Sequence, residues 1–384
     1  MRPIYLDYNA TTPIDPEVVA AMQPYLTEHF GNPSSSHWYG QQAYHAVVTA
    51  RQQVAELLQC APDEVVFTSG GSEANNYAII GTAMARREQG NHIITSAIEH
   101  PAVIEVCKYL ATQGFVTTYV PVDGDGRVDP QTVAQAIRPE TILVTIMHAN
   151  NEVGTIQPIA AIADIAERHA IVMHTDAAQS VGKIPTEVDV LGVDLLSIAG
   201  HKVYAPKGVG ALYIRQGMTL QKLIHGADHE RQRRAGTENV LGIVGLGSAC
   251  AVARRDLAQN MAHMQAMRDR LAAGLLRQWP EARVNGHPEE RLPNTLSISF
   301  PHIEANQLLT AMEGVAASSG AACHSDTVDV SSVLAAMQLP LDYAMGTLRF
   351  STGRMTTEAG IDRAIDVVIR AARQLKPKAA ASAD

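Results

Sequence analysis

Between residues 65 and 215 the chain alternates short apolar runs with helical patterning, and this alternation constrains its fold more than any other feature. The runs are Val65-Val66-Phe67, His92-Ile93-Ile94, Thr118-Tyr119-Val120, Ile142-Leu143-Val144, Ile171-Val172-Met173, Leu195-Leu196-Ser197 and Gly210-Ala211-Leu212-Tyr213. Strands that alternate with helices form a mostly parallel sheet covered by helices. Upstream, Ala43, Ala46, Val47, Ala50, Val54, Leu57 and Leu58 recur on one helical face. The alternation stops near residue 215. A long helical region follows, and a second α+β stretch begins around Arg283-Val284-Asn285. A large domain over residues 15–255 is therefore expected, with a smaller α+β domain built from 1–14 and 256–384. The N-terminal arm should pack against the smaller domain. Met261, Met264 and Met267 fall at helical spacing and read as a packing stripe.

Composition narrows the function classes. With 384 residues, 46% hydrophobic and 18% charged, the chain has ample material for two or three packed units. Its net charge of −9 argues against binding nucleic acid, which needs basic surface. The four cysteines, Cys60, Cys107, Cys250 and Cys323, are too scattered for a disulfide framework and show no zinc spacing, so no metal is expected. Asp7 interrupts any apolar leader, and Val240–Ala253 falls short of the ~20 residues of a membrane span. A soluble protein of the reducing cytoplasm is expected, with a tail that frays from Lys376-Pro377-Lys378 onward.

Four segments carry chemistry. In Phe67-Thr68-Ser69-Gly70-Gly71-Ser72-Glu73 a strand ends, two glycines follow, and Ser72 can cap the next helix. Free N–H groups at a helix start make a seat for phosphate. Asp176, in His174-Thr175-Asp176-Ala177-Ala178-Gln179, lies at a strand's carboxyl end, where ligands of such sheets bind. Lys202, in Ala199-Gly200-His201-Lys202, follows apolar residues whose desolvation would lower its pKa and make it a usable nucleophile. Cys323 sits in Ser318-Ser319-Gly320-Ala321-Ala322-Cys323-His324, among small residues that expose it rather than bury it. A phosphate seat, an acid and an imine-forming lysine, each at a strand end, meet the needs of pyridoxal phosphate.

The sequence resembles the pyridoxal-phosphate cysteine desulfurases. The resemblance rests on Leu6-Asp7-Tyr8-Asn9-Ala10-Thr11-Thr12-Pro13, Thr68 to Asn76, Glu99-His100, Asn150-Asn151-Glu152-Val153-Gly154, Asp176-Ala177-Ala178-Gln179, His201-Lys202, Arg234-Ala235-Gly236-Thr237-Glu238-Asn239, Ser319-Gly320-Ala321-Ala322-Cys323 and Leu348-Arg349-Phe350-Ser351, in order along nearly the whole chain. Cys323-His324-Ser325-Asp326 also resembles the selenocysteine lyases, which share the fold. The resemblance implies the aspartate-aminotransferase-like α/β fold of pyridoxal-phosphate transferases and a homodimer.

It also implies roles. Lys202 would carry the cofactor, and His100 would stack on its ring and transfer protons. Asp176 would pair with the ring nitrogen and Gln179 with the phenolic oxygen. Gly71, Ser72 and His201 would bind the phosphate, joined by Thr237 of the second subunit. Asn151 and Arg349 would hold the substrate carboxylate, the arginine by a two-point contact. Cys323 would attack the sulfur of L-cysteine, release L-alanine, and pass its persulfide to an acceptor such as an iron–sulfur scaffold or a tRNA-thiolation protein. Selenocysteine lyase, an aminotransferase and a non-catalytic scaffold are the rival readings; the Cys323 loop argues against the aminotransferase. Two places depart from the family pattern. Ala199 replaces a hydroxyl worth about 1.5–3 kcal/mol to a bound phosphate, and Gly226-Ala227-Asp228-His229-Glu230 replaces a glycine-rich run.

Overall fold

The computed structural model describes residues 3–324 and 327–376. The side chains of 321–324 and 327–329 lie outside that description, as does the tail from Pro377 with its expected fraying. A short strand β1 (Ile4–Tyr5) opens the chain. All seven expected runs then form strands: β2 (Val65–Thr68), β3 (His92–Ser96), β4 (Val116–Val120), β5 (Thr141–Thr145), β6 (Val172–Asp176), β7 (Leu195–Ala199) and β8 (Gly210–Ile214). They make one sheet in the order β4-β3-β5-β6-β7-β8-β2, in which β8 runs antiparallel to both neighbours and every other pairing is parallel.

The apolar runs are continuous because both faces of this sheet are covered. Val65 and Phe67 of β2 enter one core, with the helix Trp38–Leu58 and the first part of the long helix Val240–Gln278. Val66 points the other way, into a second layer with the helices Gly71–Ala85 and Pro101–Thr112. Only the edge strand β4 is largely open to solvent. The helical face read from Ala43 to Leu58 is buried as its periodicity predicts. Gly247 lets the two first-layer helices touch, since a Cβ there would lie 2.5 Å from the Ala50 Cα.

The long helix belongs to two cores. Ile243, Leu246, Ala249 and Cys250 pack under the main sheet, whereas Met267, Leu271 and Leu275 join a separate cluster with Trp279, Phe300, Phe350 and Val368. Met264 and Met267 are buried, so the methionine stripe is packing. The second cluster lies against an antiparallel sheet that contains β9 (Arg283–Asn285) and β10 (Thr295–Ser299). Next come β11 (Val315–Ala316), which pairs with β1, and β12 (Ser318–Ser319). Leu6 enters this core, so the N-terminal arm packs against it. Cys323 lies on β13 (Ala321–His324), opposite Val328 of β14 (Thr327–Val330). The strand β15 (Thr347–Ser351) completes the smaller sheet in the order β12-β15-β10-β9.

Candidate active site

The carboxyl ends of β2, β6 and β7 open onto a cavity of about 600 Å³, which β15 and the N-terminal arm close from the side of the smaller sheet. Of the site residues read from the sequence, Gly71, Ser72, His100, Asn151, Asp176, Gln179, His201, Lys202 and Arg349 all line it. Thr237 is not part of that lining within its own chain. The Cys323 side chain lies outside the described part of the structure.

At the β2 end, Gly70 precedes the helix with φ of +154°, a conformation that strains any side chain. The sequence reading of Ser72 as a cap is corrected here. The helix begins at Gly71, so Ser72 sits inside its first turn, and no side chain caps the end. The cause is local: Gly70 takes the capping position that Ser72 would need. The first-turn N–H groups therefore stay available to an anion. Gly71 packs against Ala199, whose Cβ would lie 3.0 Å from a Cβ at Gly71. His201 completes this end, with Nδ1 at 3.2 Å from Thr11 Oγ1. Burial pushes its pKa down to about 4, so it is neutral near pH 7.

Asp176 ends β6 with its carboxylate buried, accepting from Asn75 Nδ2 at 2.7 Å and from the Ala178 N–H at 2.9 Å. Lys202 lies on the short turn Gly200–Lys202 that follows β7. Its Nζ donates to the backbone oxygens of Asn9 and Ala10, the latter at 2.7 Å. Burial, then the Arg349 charge, lower its pKa to about 8, with Asp7 and Asp176 pulling the other way. A useful fraction is thus free amine near neutrality.

His100 caps the helix Pro101–Thr112, its Nδ1 accepting the Ala102 N–H at 3.1 Å. The neutral ring therefore carries its proton on Nε2. The ring is exposed on the cavity wall, yet surrounding protein still desolvates it enough to lower its pKa, against the pull of Asp176. Beneath it, Glu99 is fully buried, and burial raises its carboxyl to about 8 despite hydrogen bonds from Ser96 Oγ and the Met147 N–H.

The substrate end holds a contact that the sequence reading did not assign. Arg349 Nη2 pairs with Asp7 Oδ1 at 2.8 Å and donates to Ser318 Oγ at 2.9 Å, while Nη1 reaches the Asn151 backbone oxygen at 3.2 Å. Its Nε is buried without a partner. Ser318 Oγ itself donates to Asp7 Oδ1, which ties the arm, β12 and β15 into one knot.

The Aminotransferase class-V family matches residues 4–364. A protein named cysteine desulfurase IscS, from Methanosarcina thermophila, is 48% identical over 377 residues, covering 98% of this chain and 93% of its own. The chain belongs to the class-V aminotransferase family, among its cysteine desulfurases. A solved structure titled NifS-like protein superposes on this cysteine desulfurase with a TM-score of 0.92 at 38% identity, covering 98% of this chain and all of the other. A structure titled SspA in complex with cysteine superposes with a TM-score of 0.80 at 37% identity, over 93% and 100% of the two chains.

The cofactor of this family is pyridoxal 5′-phosphate, and the residues present fit it. An uncapped helix start at Gly70-Gly71 suits a phosphate, a buried carboxylate suits a protonated ring nitrogen, and a desolvated amine suits an aldehyde. Asn75 adds a buried Oδ1 that has no partner beside this group. Among the described residues no cluster of three His, Cys, Asp or Glu side chains could hold a metal ion.

Four further polar residues of this site escaped assignment from the sequence. Asp7, Asn9 and Asn75 stand inside the motifs that carry the family resemblance, and that was the available signal. Lys183 stands in none of them. Its signal was a lysine four residues after Gln179 amid apolar neighbours.

Proposed function

We propose that this chain converts L-cysteine to L-alanine and leaves the sulfur as a persulfide on Cys323. The observation that carries the reading is the meeting of Lys202, Asp176 and Arg349 on one cavity whose lysine is desolvated. Pyridoxal phosphate bound there supplies an electron sink for the charge left when the substrate Cα loses its proton. Lys202 holds it, the first turn at Gly71 and Ser72 binds its phosphate together with His201, and Asp176 keeps a proton on its ring nitrogen. Gln179 would donate to the phenolic oxygen, and His100, with its proton on Nε2, would serve in proton transfer beside the ring. Arg349 and Asn151 would bind the substrate carboxylate and so orient the Cα–H bond for proton removal.

The Cys323 thiolate then attacks the substrate Sγ. A sulfur–sulfur bond forms as the Cβ–Sγ bond breaks, with its electron pair staying on carbon. A proton closes that carbon to a methyl group, and alanine leaves. Purified holoenzyme incubated separately with cysteine and selenocysteine should release alanine from cysteine, and Cys323→Ser should lose that release while keeping its visible cofactor band. Alanine from selenocysteine alone would make this a lyase of the selenium amino acid, and alanine from neither would make it a scaffold.

The same reading includes a homodimer. Its support is an exposed aromatic face of Phe30, Trp38, Tyr39 and Tyr44, in which Phe30 is 71% exposed. A second copy seated there would explain why Thr237 does not line its own cavity. We retain the division into 15–255 and 1–14 with 256–384, the latter carrying the cysteine strand. A cytoplasmic setting fits three other cysteines that are all free thiols. The persulfide would go to a sulfur-acceptor protein of iron–sulfur or thio-cofactor synthesis. Among the described residues no helix is long and apolar enough to cross a membrane.

A further inference from the structure

Lys183 is a lysine only 4% exposed, and it has no part in the chemistry above. Its Nζ donates to two amide oxygens rather than to a carboxylate: Gln179 Oε1 at 2.8 Å and Asn9 Oδ1 at 3.2 Å. Burying an amine that far from water is costly, and a neutral apolar side chain would fill the same space more cheaply. The contact does something an apolar side chain could not. The two ends of an amide are nearly alike in shape, so only its partners decide which end faces where. Nζ donates in both contacts, so each amide turns its oxygen toward it.

Both amides then have their N–H groups turned away from Nζ, and Gln179 keeps one of its two beyond the bond described next. Gln179 Nε2 points to the Asn9 backbone oxygen at 3.0 Å, the same oxygen that Lys202 Nζ meets. Asn9 Nδ2 donates to Thr295 Oγ1 and to the Asn151 backbone oxygen, while Asn294 Nδ2 shares its Oδ1 with Lys183. Gln179 lines the cavity; Lys183 lies behind it.

We infer that Lys183 is a positioning residue that locks the Gln179 amide with its oxygen inward, so that the cofactor's phenolic oxygen meets an N–H donor and never an amide oxygen. This rests on the assignment of Gln179 to that oxygen. A donor on the phenolic oxygen stabilises its negative charge and so weakens the hold of the Lys202–cofactor linkage on its own proton. The charged and titratable groups around Lys183 and Lys202 include Arg349 from β15, His201 from the turn, Asp7 from the arm, Asp176 from β6 and His100 at the start of the helix Pro101–Thr112. None of them touches the Gln179 amide in the hydrogen bonds described above.

The test is a pH titration of the visible absorbance of substrate-free holoenzyme, which needs no turnover. Gln179→Leu should raise the apparent pKa of the linkage by about one unit, a tenfold change in proton affinity. Lys183→Met should raise it similarly, and the two together no more than either alone. Lys183→Gln, which still carries a donor, should stay nearer wild type and covers the case in which the methionine variant does not fold. An unmoved titration in Gln179→Leu would overturn the Gln179 assignment, and this inference with it. A shift in Gln179→Leu without one in Lys183→Met would overturn the inference alone. An additive double variant would do the same, since Lys183 would then act as a distant charge.

Discussion

Arg349 shows how one side chain can serve binding and architecture together. Its guanidinium is already paired with Asp7 and Ser318, so removing it leaves Asp7, whose side chain is only 17% exposed in the intact site, without its cation. Arg349→Ala should therefore lower both quantities that a simple role would separate. We expect kcat/KM for cysteine to fall on the order of 100-fold, with Arg349→Lys intermediate because it loses the planar fork, and the melting temperature to drop as well. Adding Asp7→Asn to Arg349→Ala should restore much of the stability and none of the activity; recovery of kcat/KM would show that the guanidinium does not bind substrate. Lys202 gives a prediction in pH. With its pKa near 8, the ammonium predominates below that value and cannot attack an aldehyde. The rate at which apoprotein captures pyridoxal phosphate should rise with pH, about tenfold per unit below 8, and level off above it. Lys202→Ala should capture none covalently and show no visible band of the linkage. Residues such as Lys202 and Asp176 were legible in the sequence because each stands at or just past the end of a recognisable strand. Asp7 and Lys183 were not, because what they do depends on partners brought together by the fold.

Among the elements, the seven strands of the main sheet were legible because burial on both faces writes itself as an unbroken apolar run. The cap at the helix Gly71–Ala85 was misread, since the residue that takes a capping position is decided by backbone conformation, here that of Gly70. The altered run before Thr237 is the more instructive case. Glu230, Arg231 and Gln232 stand at φ of +47°, +55° and +66°, three consecutive non-glycine residues in the left-handed region. Each costs about 1–2 kcal/mol there. A buried brace offsets that cost. The Glu230 carboxylate accepts from Arg51 Nη1 and Nη2 at 2.7 and 2.8 Å and from the Phe67 N–H at 2.9 Å, fastening the segment to β2 beside the phosphate seat. Glu230→Gln leaves the Arg51 cation buried without its anion and should cost about 3–5 kcal/mol, read as a lower urea midpoint. A midpoint within error of wild type would show that the brace contributes nothing net.

At the scale of the whole molecule, the exposed aromatic face sets a test of assembly. If the proposed homodimer forms through this face, Trp38→Asp combined with Phe30→Asp should give a monomer by sedimentation, with intact circular dichroism and weakened cofactor retention from loss of the contact proposed for Thr237 of the second subunit. A dimer that survives both changes would place the contact elsewhere. Two cores and their shared helix were readable as an outline, since the alternation stops near residue 215 and resumes in another form at Arg283. That the arm joins the smaller core was expected, but its pairing with Ser351 and Arg349 was not, because single side-chain contacts leave no pattern in a short arm. That joining has a consequence for biosynthesis. The Asn9 N–H meets Ser351 Oγ, and Asp7 meets Arg349, across 342 positions of chain in each case. A ribosome adding roughly 5–20 residues per second releases the partner of the arm only tens of seconds after the arm itself. Late in that interval, once residue 202 has been added, the nascent protein has its lysine and its phosphate seat but not a closed cavity, so the arm must wait unpaired, and the arrival of β15 decides when the catalyst can begin to work.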